Sequence, residues 1–193
     1  MRSAHFIGIE GIGMSGAARI LMDKGIQVSG SDLKPGEQSR WLSAKGALIY
    51  KGHSDIHLSS DVDVVIASAA IKPDNNEIKE AKKRNIPIMK YAEILGWLMQ
   101  NKKGIAVAGT NGKSTTSGMM AYLLHVADLD PSFIVGAKVR QFGENAICGT
   151  GEYFVAEACE YDRSFLNIDP KMAIVTNIEA DHQIGRASCR ERV

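Results

Sequence analysis

Ile105-Ala106-Val107-Ala108-Gly109-Thr110-Asn111-Gly112-Lys113-Ser114-Thr115-Thr116 puts an apolar strand directly before a glycine-bearing loop and a helical run. Such a loop aims several backbone N–H groups and a helix N-terminus at one point, which is what a polyphosphate requires. Lys113 can neutralise the β- and γ-phosphates, and the Ser114 hydroxyl can ligate Mg²⁺. The general phosphate-loop pattern asks for a glycine five residues before Gly112, where this chain has Val107. The match is therefore to a shorter form, Gly-Thr-Asn-Gly-Lys-Ser-Thr. The expected ATP site consists of Gly109, Thr110, Asn111, Gly112, Lys113, Ser114 and Thr115.

The rest of the composition is that of an ordinary globular protein. The chain has 193 residues, 45% hydrophobic and 23% charged, enough for a sizeable core. A net charge of +1 with interspersed signs leaves no basic footprint for nucleic acid. No apolar run approaches the ~18 residues of a membrane span, so no membrane partner is expected. Met-Arg-Ser leads straight into a strand, without the pattern of a signal peptide. Cysteines at 148, 159 and 189 have neither metal-site nor redox spacing, which suits a reducing compartment, and the cytoplasm is the expected location. Apolar periodicity stops after His182. Residues 183–193 can be back-translated into a sequence resembling a common sequencing-library adapter, and are read as an artefact, with the gene continuing beyond His182.

Upstream of the phosphate loop, strands and helices alternate. Strands are predicted at 4–9, 27–30, 47–50, 62–68 and 86–89, and helices at 14–24, 39–45, 74–84 and 91–100. Asp74 or Asn75 should cap the third helix, whose Lys79, Lys82, Lys83 and Arg84 read as a solvated face. This alternation implies a parallel sheet with right-handed crossovers. After a polar linker at 101–104 the pattern restarts with strand 105–108, a helix from 113 to about 127, and strands near 132–136, 153–157 and 172–176. The expected fold is α/β: a Rossmann-like domain over 1–100, followed by a truncated phosphate-loop ATPase domain over 105–182.

The first domain carries a second glycine loop. Gly11-Ile12-Gly13-Met14-Ser15-Gly16 follows the first strand, and Asp32 stands near the end of the second. Glycines there allow close approach of a pyrophosphate, and the carboxylate can accept ribose hydroxyls. NAD would make the protein an oxidoreductase, and a nucleotide sugar would make it something else. The ATP loop argues against the dehydrogenase, because hydride transfer has no use for it.

Over residues 4–182 these features resemble the ATP-dependent Mur ligases, and within that family the branch that joins L-alanine to UDP-N-acetylmuramate. The resemblance is carried by His5 to Gly16, Gly30-Ser31-Asp32, Ser68-Ala69-Ala70-Ile71, Ala92-Glu93-Ile94-Leu95, Val155 to Leu166 and Thr176 to His182. Asn111 departs from that branch, which usually has histidine there, and is similar to other members of the family. The resemblance implies that the lactyl carboxylate of UDP-N-acetylmuramate attacks the γ-phosphate of ATP, and that the amine of L-alanine then displaces phosphate from the acyl phosphate. It further implies catalytic roles for Lys113, Glu157 and His182, with Ser114, Glu157 and His182 as Mg²⁺ ligands. The UDP-sugar site it implies comprises Gly11, Gly13, Met14, Ser15, Asp32, His53, Ser68 and Asn177, with Glu179 beside the last. His57, His125 and the methionines are assigned to surface or core. Alternatives are a recycling ligase that adds an intact peptide to the same sugar, a folylpolyglutamate synthetase, which would lack the first 100 residues, and a dinucleotide-binding regulatory module that makes no use of Lys113.

Overall fold

The computed structural model describes residues 1–158 and 165–179. The chain divides into two compact units, Met1–Ile94 and Leu95–Val193.

The first unit holds a five-stranded, wholly parallel sheet in the order β3-β2-β1-β4-β5. Its strands are β1 (Ser3–Ile7), β2 (Gln27–Asp32), β3 (Leu48–Lys51), β4 (Val64–Ala67) and β5 (Ile88–Lys90). The crossovers are α1 (Ile12–Asp23), α2 (Glu37–Ala44) and α3 (Asn76–Lys83). β1 and β4 lie at the centre and are buried along their whole length, as expected of a parallel sheet covered on both faces. The chain order reverses beside β1, and ligands of open α/β sheets bind at the carboxyl ends of the strands at such a point.

Asn75 is the cap of α3, its side-chain oxygen accepting from the N–H groups of Glu77 and Ile78. Lys79, Lys82 and Lys83 are solvated. Arg84 is not part of that face. Its guanidinium turns inward and donates to the carbonyls of Leu58 and Ser59 at 2.8 and 2.7 Å, pinning the 3₁₀ turn Asp55–His57 beside α3. Arg19 of α1 stacks over the Trp41 ring at 3.6 Å, tying α1 to α2.

In the second unit the order is β10-β6-β9-β7-β8. The strands are β6 (Lys103–Ala108), β7 (Ser132–Val139), β8 (Glu144–Ile147), β9 (Tyr153–Glu157) and β10 (Met172–Val175), with α5 spanning Lys113–Val126. α4 (Tyr91–Met99) runs through the division between the units. β6 begins at Lys103, so the polar stretch before it is shorter than the composition implies. β8 was not expected from the sequence. It is short, holds the polar pair Glu144-Asn145, and pairs antiparallel with β7 across an irregular register. A core of Ile105, Ala121, Phe133, Val135, Val139 and Val155 joins α5 to the sheet.

Candidate functional site

The phosphate loop follows β6 because Ile105, Ala106 and Val107 are held in the middle of the sheet, paired to β9 on one side and β10 on the other. The chain leaves that strand at Gly109 (φ +133°) and enters α5 at Gly112 (φ +82°), both conformations that side-chain-bearing residues rarely adopt. A Cβ on Gly109 would in addition collide with the Thr176 hydroxyl. Lys113 Nζ donates to the carbonyls of Gly109 and Thr110 at 2.6 and 3.1 Å, so its charge lies across the loop it would serve.

Ser114 at the start of α5 and Glu157 at the end of β9 converge. Both Glu157 oxygens lie 3.2 Å, and the Ser114 hydroxyl 3.4 Å, from the point where a Cβ on Gly136 would stand. Glu157 Oε1 also accepts the Gly136 N–H at 2.6 Å, which orients the carboxylate. A carboxylate and a hydroxyl brought together beside a glycine are oxygen ligands of the kind that suit a hard cation retaining several waters, as Mg²⁺ does. Among the described residues no cluster of three or more histidine, cysteine or acidic side chains could form an all-protein metal cage. His182 lies outside the described residues.

The segment after β10 is strapped onto the same loop. Thr176 Oγ1 donates to the carbonyls of Asn111 and Ala108 at 2.6 and 3.2 Å. Asn177 Oδ1 accepts the Asn111 N–H at 2.9 Å, and the Glu179 N–H donates to Thr110 Oγ1 at 3.0 Å. Asn111 Nδ2 reaches Glu179 Oε2 at 3.4 Å. Asn177, expected on the sugar side, thus has its side-chain oxygen engaged by the phosphate loop. Thr176 received no role from the sequence, because a threonine at a strand end gives no signal of its partner.

In the first unit, Gly11 holds the N-cap position before α1 and offers no side chain to cap the helix. Gly13 is required by packing, since a Cβ there would fall 2.7 Å from the Tyr91 ring. Met14 and Ser15 are buried, with the Ser15 hydroxyl returned to the Ile12 carbonyl at 3.1 Å, so these side chains support the loop from beneath. Asp32 accepts the Glu10 N–H on Oδ2 at 3.1 Å and the Lys34 N–H on Oδ1 at 2.9 Å, bracing the glycine turn against the end of β2. Ser68 follows β4, and its hydroxyl accepts the Ala70 N–H at 3.4 Å in a local turn.

Two carboxylates unassigned by the sequence organise this face. Glu10 accepts from the N–H groups of Gly36, Gln38 and Ser39 at 2.8, 3.2 and 3.0 Å and from the Ser39 hydroxyl at 2.6 Å. It therefore caps α2 from another part of the chain. Burial pushes its carboxyl up, but those four donors outweigh it and hold the pKa below the usual value.

Glu77 is fully buried. Its Oε2 accepts the Ser31 hydroxyl at 2.6 Å and lies 3.1 Å from His53 Nδ1, while Oε1 lies 2.9 Å from His57 Nδ1. His5 Nε2 stands 3.5 Å from Oε1 without a hydrogen bond. Burial alone would raise the Glu77 pKa; His5, Ser31 and His57 together overcome it and leave the carboxyl below its ordinary range. His57, expected to be surface or core, is a partner of this buried acid and stacks on Tyr50 at 4.4 Å.

No described helix is long and apolar enough to cross a membrane.

Comparison with known proteins gives two family matches: "Mur ligase family, catalytic domain" over residues 3–103, and "Mur ligase middle domain" over residues 107–191. The UDP-N-acetylmuramate–L-alanine ligase of Carboxydothermus hydrogenoformans is 53% identical over 182 residues, which are 94% of this chain and 39% of that protein. The ligase of the same name from Aquifex aeolicus is 48% identical, with 94% of this chain and 40% of that protein covered. Among solved structures, the UDP-N-acetylmuramate–alanine ligase of Thermotoga maritima matches with a TM-score of 0.89 at 32% identity, covering 98% of this chain and 44% of that one. The Neisseria UDP-N-acetylmuramate:L-alanyl-γ-D-glutamyl-meso-diaminopimelate ligase matches with a TM-score of 0.91 at 29% identity, covering 100% and 65%. The chain thus spans about two fifths of the length of the curated relatives it matches. With the first family match alone spanning more than half of its residues, the chain belongs to the Mur ligase family.

Proposed function

We propose that this chain supplies the nucleotide-sugar site and the phosphate loop of an ATP-dependent ligase that joins L-alanine to UDP-N-acetylmuramate. The observation that supports the reading is the presence of two loops of different design, the glycine turn braced by Asp32 and the Gly109–Ser114 loop, whose Ser114 lies close to Glu157 at the end of β9. A dehydrogenase or a dinucleotide sensor needs the first and has no use for the second. Identity of 48–53% over 94% of the chain to relatives named as UDP-N-acetylmuramate–L-alanine ligases supports alanine as the substrate that is joined.

A carboxylate is a poor acylating agent, and phosphorylation gives it a leaving group. Two anions must then be brought together, so the site has to supply fixed positive charge and alignment. Lys113 provides charge, and its present carbonyl partners would be exchanged for phosphate oxygens on binding. Ser114 and Glu157 would hold Mg²⁺, which when bound screens the β- and γ-oxygens. Thr176 and Asn177 keep the loop in one shape, which limits the reorganisation that nucleotide binding requires. His182 is proposed as a ligand of a second Mg²⁺ ion. Gly11 and Gly13 would admit the diphosphate, Asp32 the ribose, and His53 and Ser68 the uridine end.

Calorimetric titration of the chain with UDP-N-acetylmuramate, and with NAD in parallel, tests the reading. Saturable binding of the UDP-sugar without binding of NAD is expected; the opposite preference would overturn it.

A further inference from the structure

The glycine turn follows β1 and Asp32 ends β2. His53 follows β3, the next strand outward, and the neighbouring Gly52 N–H donates to the Asp32 carbonyl at 2.8 Å. A nucleotide with its diphosphate at the β1 turn and its ribose at Asp32 therefore carries its base toward β3. His53 is the imidazole at that position.

The hydrogen-bond partners determine which nitrogen of His53 carries the proton. Nδ1 lies 2.9 Å from Ser31 Oγ and 3.1 Å from Glu77 Oε2. The Ser31 proton is already given to Glu77 at 2.6 Å, and the Glu77 carboxylate is held ionised, so both neighbours are acceptors. Nδ1 must then be the donor, and of the two neutral tautomers only the one with its lone pair on Nε2 fits these partners. The same argument applies to His57, whose Nδ1 faces Glu77 Oε1 at 2.9 Å. The His53 side chain is 14% exposed while Glu77 is sealed, so the pair has a buried end and an open end. Among the described residues His53 Nε2 has no protein partner.

We propose that Glu77 is a positioning residue of the nucleotide-sugar site. It fixes His53 in the Nδ1–H tautomer and thereby presents Nε2 as a hydrogen-bond acceptor to the base end of the ligand. A uracil ring offers one complementary donor, its N3–H. Glu77 belongs to α3 and touches no ligand in this scheme; it acts on the ligand through an imidazole that follows β3. Its bond to His57 holds the 3₁₀ turn in place, so that the segment carrying His53 is tethered at two points. This inference rests on the nucleotide-sugar reading given above.

The test is a double-mutant cycle on the full chain, read by calorimetric titration with UDP. Glu77→Gln is expected to weaken UDP binding about five- to tenfold, the worth of one oriented hydrogen bond. His53→Ala should cost a similar factor. In the His53→Ala background, Glu77→Gln should cost less than twofold, because its effect passes through His53. Long-range ¹H–¹⁵N spectra of the ligand-free wild type are expected to show His53 and His57 as Nδ1–H tautomers, a measurement that does not depend on any variant folding. Independent, additive losses in the cycle, or an Nε2–H tautomer at His53, would overturn the proposal while leaving the nucleotide-sugar reading intact. A wild-type chain with the expected tautomers that binds no UDP would instead overturn that reading, and the ligand-facing part of this one with it.

Discussion

Glu10→Ala should loosen the start of α2 far more than a substitution in a solvent-facing loop ordinarily does. The carboxylate accepts three backbone N–H groups and one hydroxyl, and α2 has no side-chain cap of its own because Gly36 occupies that position. Loss of a helix cap costs about 1 kcal/mol. Ser39 is only 2% exposed, so water cannot readily replace its lost partner, and stranding its hydroxyl adds about 1–3 kcal/mol. Glu10 itself is partly solvated, which places the expected total near the lower end, at about 2–3 kcal/mol. Native-state hydrogen exchange reads this directly. If local opening of the cap is what exposes them, the amides of Gly36, Gln38 and Ser39 should exchange about 30-fold faster or more, since 1.4 kcal/mol is a factor of ten. Amides of β1 and β4 should change by no more than the global loss of stability. Unchanged exchange at those three amides would refute the idea that Glu10 caps the helix, whatever happened to the melting temperature.

Three other outcomes are expected. Gly109→Ala forces a side chain against Thr176 and a strained backbone, about 2–5 kcal/mol together, so the variant should melt at lower temperature and bind MgATP at least tenfold more weakly; wild-type affinity would contradict the loop geometry. Glu157→Gln should abolish most of the Mg²⁺ dependence of nucleotide binding while leaving metal-free binding within about threefold; retention of the full Mg²⁺ effect would remove Glu157 from the metal site. Glu10 and Glu77 both have folded pKa values below the ordinary glutamate value of 4.5, so each contributes stability that is complete above that value and is lost as pH falls through the lower, folded value. Acid titration of stability between pH 5 and 3, in round figures, should therefore be shallower in Glu77→Gln than in the wild type, and an equal slope would count against an ionised buried Glu77.

What was legible in the sequence is what depends on contiguous residues. Ile105 to Thr116 encodes strand, loop and helix in one run, and Gly109 and Gly112 sit where the backbone turns left-handed. Period and punctuation likewise located β1 to β5 and narrowed the cap of α3 to Asp74 or Asn75, of which the structure uses Asn75. β8 escaped because four residues with a polar pair resemble a loop until β7 lies beside them. Arg84 was misread as solvated because helical spacing records which side of a helix a residue occupies. It does not record that the carbonyls of Leu58 and Ser59 would lie within reach.

By itself, then, the sequence determined the alternation of strands and helices, the parallel sheet and the two glycine loops. All of these follow from backbone preferences and hydrophobic period within a dozen residues. Only the tertiary structure decided that Glu10 caps a helix 26 residues away, that Thr176 and Asn177 strap a loop about 65 positions upstream, and that Glu77 meets Ser31, His53 and His57. The physical reason is the same in each case. A polar side chain leaving water must find partners at a distance of about 3 Å, and which partners are within that distance depends on which strand ends and helix starts the sheet order brings together.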